Sequence, residues 1–348
     1  MTGISVRGIG VLTPCAQGRE AFSRTLAEGL RVAAPGDFSI PEGELDRHLS
    51  GAGRFRRAAS ATRYALAAAA MAVADAGISP GEVAGDRTGL IVSVTHGALG
   101  YTTQFHEGLL KEGPQGASPL FFSESVLNAP AGNVSIALGI RGPVHTILGE
   151  EAAGIQAIEL AAALLRSFAV DRCFVVGTEE RGEIVGRVYG ELERSSGVDA
   201  AFPPGEGSAC LLLVRDDPAA DGGKGALLFP EVGSMGRSSG SGAEEDLARV
   251  IGGALARAGL AAKDVAHVVL PTGHHRGLAR RVLDRYLGAA PRRIDLGALV
   301  GNARGAAGVL QTAASACALS FAEGAGLALC TGIEGTAAAV AVRPAMRG

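Results

Sequence analysis

The sequence predicts an α/β protein of stacked sheets and helices, built as two halves of similar order. Short apolar, β-branched runs alternate with helical runs along nearly the whole chain, the pattern of a layered α/β architecture. Two Ala-rich stretches, Glu151–Arg166 and Arg304–Phe321, are apolar on almost every side, which marks helices buried inside a core. Strand and helix patterns restart after the Asp-, Ala- and Gly-rich segment Asp216–Lys224. The expected division is therefore residues 1–215 and residues 225–348, and a length of 348 residues suits it.

Taken in order, Ile4–Val11 reads as a first strand containing Gly8 and Gly10. Gly8-Ile9-Gly10 is half of a dinucleotide fingerprint, but Thr13-Pro14 stands where the third glycine belongs, so the structural reading is preferred. Glu20–Leu30 reads as a short amphipathic helix, residues 31–54 as irregular, and Phe55–Ala76 as a long Ala-rich helix closed by Gly77. Gly89–Thr95 is a second core strand, followed by a loop at His96–Gly100 and a helix to Lys111. Gly142-Pro143 is a turn signal, and Val144–Leu148 is a short β-branched strand. The next turn feeds the first core helix. A strand that delivers a turn to a helix N-terminus can present a nucleophile there, because free N–H groups and the helix dipole favour an anion. This turn offers Glu150 and Glu151, with no Cys or Ser. Cys173–Val176 and Ser208–Val214 complete the strands of the first half. The second half repeats the alternation at Ala226–Val232, Ala243–Ala258, Val265–Leu270, Arg276–Leu287, the second core helix, Leu327–Cys330 and Thr336–Val342.

Hydrophobic content of 47% against 19% charged residues predicts a large core and argues against disorder. A net charge of −3 argues against a nucleic-acid or anionic-membrane surface. The five cysteines have no CxxC spacing and three lie in apolar runs, which points to buried thiols in a reducing compartment. No run reaches membrane-spanning length without Gly or charge, and no basic-then-apolar leader is evident, so a soluble cytoplasmic protein is expected. No metal and no cofactor is expected. His274 and His275 are adjacent and read as loop or helix-start residues. His145 reads as a buried strand histidine. Cys317 and Cys330 read as packing residues, because neither has a placed base.

The run from Gly142-Pro143 through an apolar strand and a turn to an Ala-rich helix resembles the active-site segment of β-ketoacyl synthases, condensing enzymes of the thiolase fold. Other motifs follow in the family's order. Gly177-Thr178-Glu179 resembles its Gly-Gly-x-Glu, and Gly205-Glu206-Gly207 its Gly-Glu-Gly-Ala. Pro271-Thr272-Gly273 stands where the family has His-Gly-Thr-Gly-Thr. Gly301-Asn302-Ala303-Arg304-Gly305-Ala306-Ala307-Gly308 resembles Gly-His-x-x-Gly-Ala-Ala-Gly, and Thr331–Thr336 replaces a Gly-Phe-Gly-Gly loop. The resemblance implies a thiolase-like five-layered αβαβα sandwich of two pseudo-duplicated halves, with loops shortened in residues 180–205 and 235–245.

The same resemblance puts Glu151 at the catalytic Cys, Pro271 and Asn302 at the two His, and Gly297 at the Lys. Condensation needs a thiolate and donors that polarise a malonyl carbonyl. Asn302 can donate a hydrogen bond but cannot exchange a proton near neutral pH. No catalytic residue is therefore expected. Within the family the chain is most similar to a chain length factor, the non-catalytic subunit that pairs with an active ketosynthase in type II polyketide or polyene biosynthesis and shapes its acyl tunnel. That class commonly carries Gln at the Cys position. The implied partners are the ketosynthase, in a heterodimer, and an acyl carrier protein acting through the complex. The implied tunnel and interface residues are Phe121 and Phe122 in the segment Pro119–Leu138, Val144, Thr146 and Leu148 on the strand, and Thr331 and Ile333 in the last loop. Two alternatives stay open. One is an enzyme with relocated chemistry at Glu151, Glu334 or His145, with Glu334 expected close enough to Glu151 for the pair to raise one pKa. The other is a homodimeric pseudoenzyme that binds acyl groups or a carrier protein.

Overall fold

A computed structural model describes residues 4–29, 38–45, 53–196, 201–215, 225–235 and 241–345. Ten strands form one continuous sheet: β1 Ile4–Leu12, β2 Thr88–Val94, β3 Val144–Leu148, β4 Arg172–Glu179, β5 Gly207–Arg215, β6 Ala226–Ser234, β7 Val265–Val269, β8 Arg292–Ile294, β9 Ala325–Thr331 and β10 Thr336–Pro344. Their order across the sheet is β3-β2-β4-β5-β1-β6-β10-β9-β7-β8. Read outward from the middle, each half runs antiparallel, antiparallel, parallel, parallel. The two halves meet where Ile4, Ser5 and Val6 pair with Leu228, Leu227 and Ala226. The topology thus repeats itself about the β1–β6 join. The expected linker, Asp216–Lys224, lies outside the described residues, as do residues 31–37 and 236–240.

The helices sort into three layers around the two half-sheets. Those longer than four residues are, in chain order, α1 Gly18–Glu28, α2 Ser60–Ala76, α3 Leu99–Glu112, α4 Pro119–Ser125, α5 Ala129–Leu138, α6 Ala153–Arg166, α7 Glu183–Ser196, α8 Ser241–Ala258, α9 Arg276–Leu287 and α10 Ala307–Ala318. α6 and α10 form the middle layer, and Ile155, Ile158, Leu165, Val309, Leu310 and Ala313 share one buried cluster with residues of both half-sheets. α2 covers the outer face of the first half, packed on Leu90, Val92, Phe174, Val176 and Leu212. α8 and α9 cover the second half through Leu247, Ile251, Leu278 and Val282. This is the five-layered αβαβα sandwich the sequence predicts. Strands covered on both faces read as unbroken apolar runs, and β2 is buried at every position.

Two pairs of glycines set the spacing. A Cβ at Gly10 would sit 1.9 Å from the carbonyl oxygen of Ala68, and one at Gly8 2.2 Å from that of Ala72, so the Gly-x-Gly of β1 serves close contact with α2. A Cβ at Gly154 would lie 2.6 Å from the Val309 nitrogen, and one at Gly308 2.8 Å from the Ile155 nitrogen. The two core helices therefore cross in backbone contact near their N-termini. That crossing brings Glu151 and Arg304 together.

Several sequence expectations change. The helix expected from Phe55 begins at Ser60, after a 3-10 turn at Gly53–Phe55. Residues 180–205, expected as a shortened loop, contain α7. β3 lies at the edge of the sheet and His145 on it is exposed, not buried. Its β-branched sequence reads like an interior strand, but only β2 flanks it within this chain. Among the described residues, no helix is long and apolar enough to cross a membrane.

Candidate functional site

The site is the junction of β3 with α6, closed by loops from the second half. Glu151 is fully buried. Its Oε1 accepts a hydrogen bond from Asn302 Nδ2 at 2.6 Å and lies 3.8 Å from an Arg304 guanidinium nitrogen, and its Oε2 has no partner. The neighbouring carboxylate is Glu150, which accepts from the Tyr189 hydroxyl and pairs with Arg304 at 3.3 Å. The Arg304 guanidinium also lies 3.2 Å from the centroid of the Tyr189 ring. Burial, and next the charge of Glu150, push the Glu151 carboxyl up to about 7, against the opposing pull of Arg304.

Asn302 organises the loop. Its Oδ1 accepts from the Arg304 backbone N–H at 3.0 Å and from Thr272 Oγ1 at 3.4 Å, while its backbone bridges to Pro203 and Gly205. This holds Arg304 at φ 38°, a left-handed conformation that costs a side-chain-bearing residue energy. Arg304 is buried all the same.

The other sequence candidates fall into place around this core. Pro271 is buried at the end of the β7 strand. Gly273 packs directly on Glu151, where an added Cβ would lie 2.5 Å from the carboxyl carbon. Gly297 is closed off: the Phe202 ring occupies the place of a Cβ, within 1.9 Å, and Arg276 stacks on that ring at 3.7 Å. No larger side chain fits at 297 without moving Phe202. Thr331 is buried and its hydroxyl donates to the His274 carbonyl, while Ile333 is half-buried. Glu334 is exposed in the turn between β9 and β10, so the expected pair with Glu151 does not form; the second carboxylate is Glu150. The turn carries Glu334 outward because Gly335 and Gly332 close it through a backbone hydrogen bond.

No activated sulfur stands near the carboxylates. Cys330 donates to Gln311 Oε1, and burial pushes its pKa far up. Cys317 is likewise buried, with its pKa raised to about 11. A second buried acid, Glu179 at the end of β4, accepts backbone N–H bonds from Thr95, His96 and Gly97 at 2.7 to 3.1 Å, yet burial still lifts it to about 7. It pins the β2 loop that carries His96. In the sequence Glu179 stands out only as part of a motif, Glu150 only as the other acid of the turn, Arg304 only within the Gly-Ala run, and Tyr189 not at all. Arg304 was visible as a charge inside an otherwise apolar Gly-Ala run. The signal for Tyr189 is the helical spacing it shares with Ile184, Val185, Val188 and Leu192, in a stretch for which no helix is expected.

Residues 36–219, just over half of the chain, match the family described as β-ketoacyl synthase, N-terminal domain. The chain belongs to the β-ketoacyl synthase family. It is 30% identical over 295 residues to a Streptomyces coelicolor protein that carries the name polyketide β-ketoacyl synthase 2, a match covering 75% of this chain and 68% of that one. It is 32% identical over 222 residues to a Streptomyces violaceoruber protein named for a granaticin polyketide β-ketoacyl synthase 2, covering 60% of this chain and 53% of the relative. The chain thus spans between about half and two thirds of these relatives. The solved ishigamide ketosynthase/chain length factor superposes with a TM-score of 0.80 at 19% identity, covering 99% of this chain and all of that one. This last likeness establishes the shared thiolase-like fold.

In this β-ketoacyl synthase relative the elevated pKa of Glu151 gives a stability test. Its folded pKa lies above the unfolded carboxylate value, so it contributes most below about pH 4.5 and that contribution is lost as pH rises through about 7. Glu151→Gln removes the titration while keeping an acceptor for Asn302. Thermal melts are expected to match wild type within a few degrees at pH 6 and to favour the variant at pH 8.5. Glu179 titrates in the same direction and leaves a residual slope in both proteins. A variant that melts well below wild type at pH 8.5 would show that the ion pair with Arg304 outweighs the burial cost.

Proposed function

We propose that this protein is a non-catalytic, chain-length-factor-type subunit that pairs with an active ketosynthase in type II polyketide or polyene biosynthesis. The observation that carries the reading is the replacement of the nucleophile position by a buried carboxylate, Glu151, tied to Asn302 and Arg304. A carboxyl group there supplies no thiolate to take up an acyl group, and when ionised it repels a malonyl carboxylate. The place of the Lys is filled by Phe202, so restoring one residue does not restore the set. The relatives named for polyketide β-ketoacyl synthase 2 and the ketosynthase/chain length factor structure support the assignment to this subunit class.

The pairing surface is read from β3 and the helices beside it. Alternate residues of a strand in a parallel pair turn their N–H and C=O toward the neighbour. The Pro143 carbonyl and the Gly149 N–H bond β2, so Val144, Thr146 and Leu148 direct their backbone groups outward. The segment carrying α3, α4 and α5, of which α5 packs beside β3, also exposes Leu110, Leu120, Phe122, Val126 and Ile136. An exposed apolar edge of this kind needs a partner. Phe122 is exposed and stacks on Phe105, whereas Phe121 is half-buried against Tyr101, so Phe122 is the better placed of the two to meet a partner's acyl tunnel. The proposed unit division is 1–215 and 225–348, following the repeat of sheet order, and the proposed compartment is the cytoplasm.

The test is activity of the isolated chain with malonyl-loaded carrier protein, followed by mass analysis. Neither wild type nor Glu151→Cys is expected to condense or decarboxylate the substrate. Product from wild type above a no-enzyme control would overturn the non-catalytic reading and favour relocated chemistry, and product from Glu151→Cys would overturn the argument that Pro271 and Asn302 cannot stand in for the two His.

A further inference from the structure

We infer that Tyr189 is the gate of this subunit's own site: with Glu150 and Arg304 it closes the approach to the α6 N-terminus, so a pantetheine-linked acyl group is turned away here. The inference rests on the proposed function and adds how a carrier-borne chain is confined to the partner's nucleophile.

The side chains form a graded plug. Glu151 is 0% exposed, Arg304 3% and Glu150 10%, with the half-buried Tyr189 outermost. Each layer is tied to the next. Arg304 spans both carboxylates, its guanidinium lies on the Tyr189 ring, and the Tyr189 hydroxyl closes the circuit onto Glu150. The ring is further enclosed by His96, with centroids 5.6 Å apart, and by His274 at 6.2 Å and nearly parallel. Burial and the Glu150 charge raise the Tyr189 pKa, so its hydroxyl keeps its proton and remains a donor at any physiological pH. A pantetheine arm is a narrow chain that must pass side chains to reach a helix N-terminus, and here a ring, a guanidinium and a carboxylate bonded to one another occupy that path.

The plug is mounted on a lightly anchored helix. α7 buries Val185 and half-buries Tyr189 on its inner face, while Ile184, Val188 and Leu192 on its outer face are exposed. Gly186 and Gly190 flank Tyr189, and each glycine weakens a helix by about 1 kcal/mol relative to alanine. Local opening of such an element is less costly than opening of a core helix. Tyr189 ties α7 to the site chiefly through its ring, packed on Arg304, with the hydroxyl on Glu150 as a second contact.

A thiol placed at 151 reads the gate directly. In a Cys15→Ser background the remaining native thiols, Cys173, Cys210, Cys317 and Cys330, are buried. Glu151→Cys is then labelled in the folded isolated chain with a pantetheine–maleimide conjugate. Labelling is expected to be slow with Tyr189 present, about tenfold or more faster after Tyr189→Ala, as expected when a local opening step is removed, and still slow after Tyr189→Phe, which keeps the ring over Arg304. Tyr189→Leu serves where the alanine variant does not fold, and should also accelerate labelling. Rapid labelling with Tyr189 intact, or no acceleration in a folded Ala or Leu variant, overturns the gate. Because the readout uses the isolated chain, its failure is distinct from a failure to pair with a ketosynthase.

Discussion

Arg304→Ala is expected to be the most destabilising single substitution at the site. The guanidinium is 3% exposed and faces Glu150 at 3.3 Å and Glu151 at 3.8 Å. Removing it leaves two adjacent carboxylates in a dry core without their cation. Breaking a buried ion pair from one side costs about 3–5 kcal/mol. At roughly 2 °C per kcal/mol for a large domain, the melting temperature should fall by about 6–10 °C. The alanine keeps the positive φ of position 304, so no backbone strain is relieved in exchange. The loss should shrink at pH 6, where Glu151 takes up a proton, and grow at pH 8.5. Adding Glu150→Gln and Glu151→Gln should recover most of it, because the cost lies in the uncompensated charges. Differential scanning calorimetry of wild type, the single variant and the triple variant checks this. A fall of less than about 2 °C, or no rescue by the two amides, would show that the site tolerates its charges through water, and the Glu150–Arg304–Glu151 circuit would not be structural.

Much of this architecture is legible in the sequence, for reasons that differ by element. The core helices α6 and α10 announce themselves because nothing in them needs water, and a helix without a polar face has only one place to go. β2, β4 and β5 read clearly because both faces are covered. The position of Glu151 follows from the turn between Leu148 and Ala152 once α6 is placed. Of the companions of Glu151, Glu150 and Asn302 stand in recognisable motifs, whereas Arg304 and Tyr189 are brought to it only by the fold. Arg304 reaches it across the Gly154–Gly308 crossing, and Tyr189 from α7, where Ile184, Val185, Val188, Tyr189 and Leu192 keep a helical spacing inside a stretch expected to have shortened loops. The pairing with Glu334 was plausible on proximity in the family's order, but a backbone hydrogen bond from Gly335 to Gly332 turns the acid outward. His145 differs for a related reason: the β-branched run of β3 reads like an interior strand, but within this chain β3 lies at the sheet edge with only β2 beside it.

Thr146→Pro is expected to abolish the proposed pairing with a ketosynthase while leaving the isolated chain folded. Thr146 is the middle residue of β3, and its N–H points away from β2. Proline is tolerated on an edge strand when the lost N–H faces outward, so the monomer's own ladder stays intact. Across a dimer axis the same substitution removes a donor from the centre of a five-residue strand and puts a ring against the incoming backbone. The exposed side chains of Val144 and Leu148, 38% and 55% accessible, would lose their register with the partner together with the hydrogen bond. An interface that continues a sheet between subunits typically buries about 2,000 Å² or more, and it depends on the shared strand for alignment. Co-expression with the ketosynthase and size-exclusion chromatography should therefore show a heterodimer for wild type and separate subunits for Thr146→Pro, with circular dichroism of the variant unchanged. Thr146→Val, which keeps the backbone donor and the β-branched shape, should pair like wild type. If the proline variant still co-elutes with the ketosynthase, β3 is not the seam. If wild type forms only a homodimer that ignores the ketosynthase, the edge is covered by a second copy of this chain, and the acyl-binding pseudoenzyme becomes the better reading.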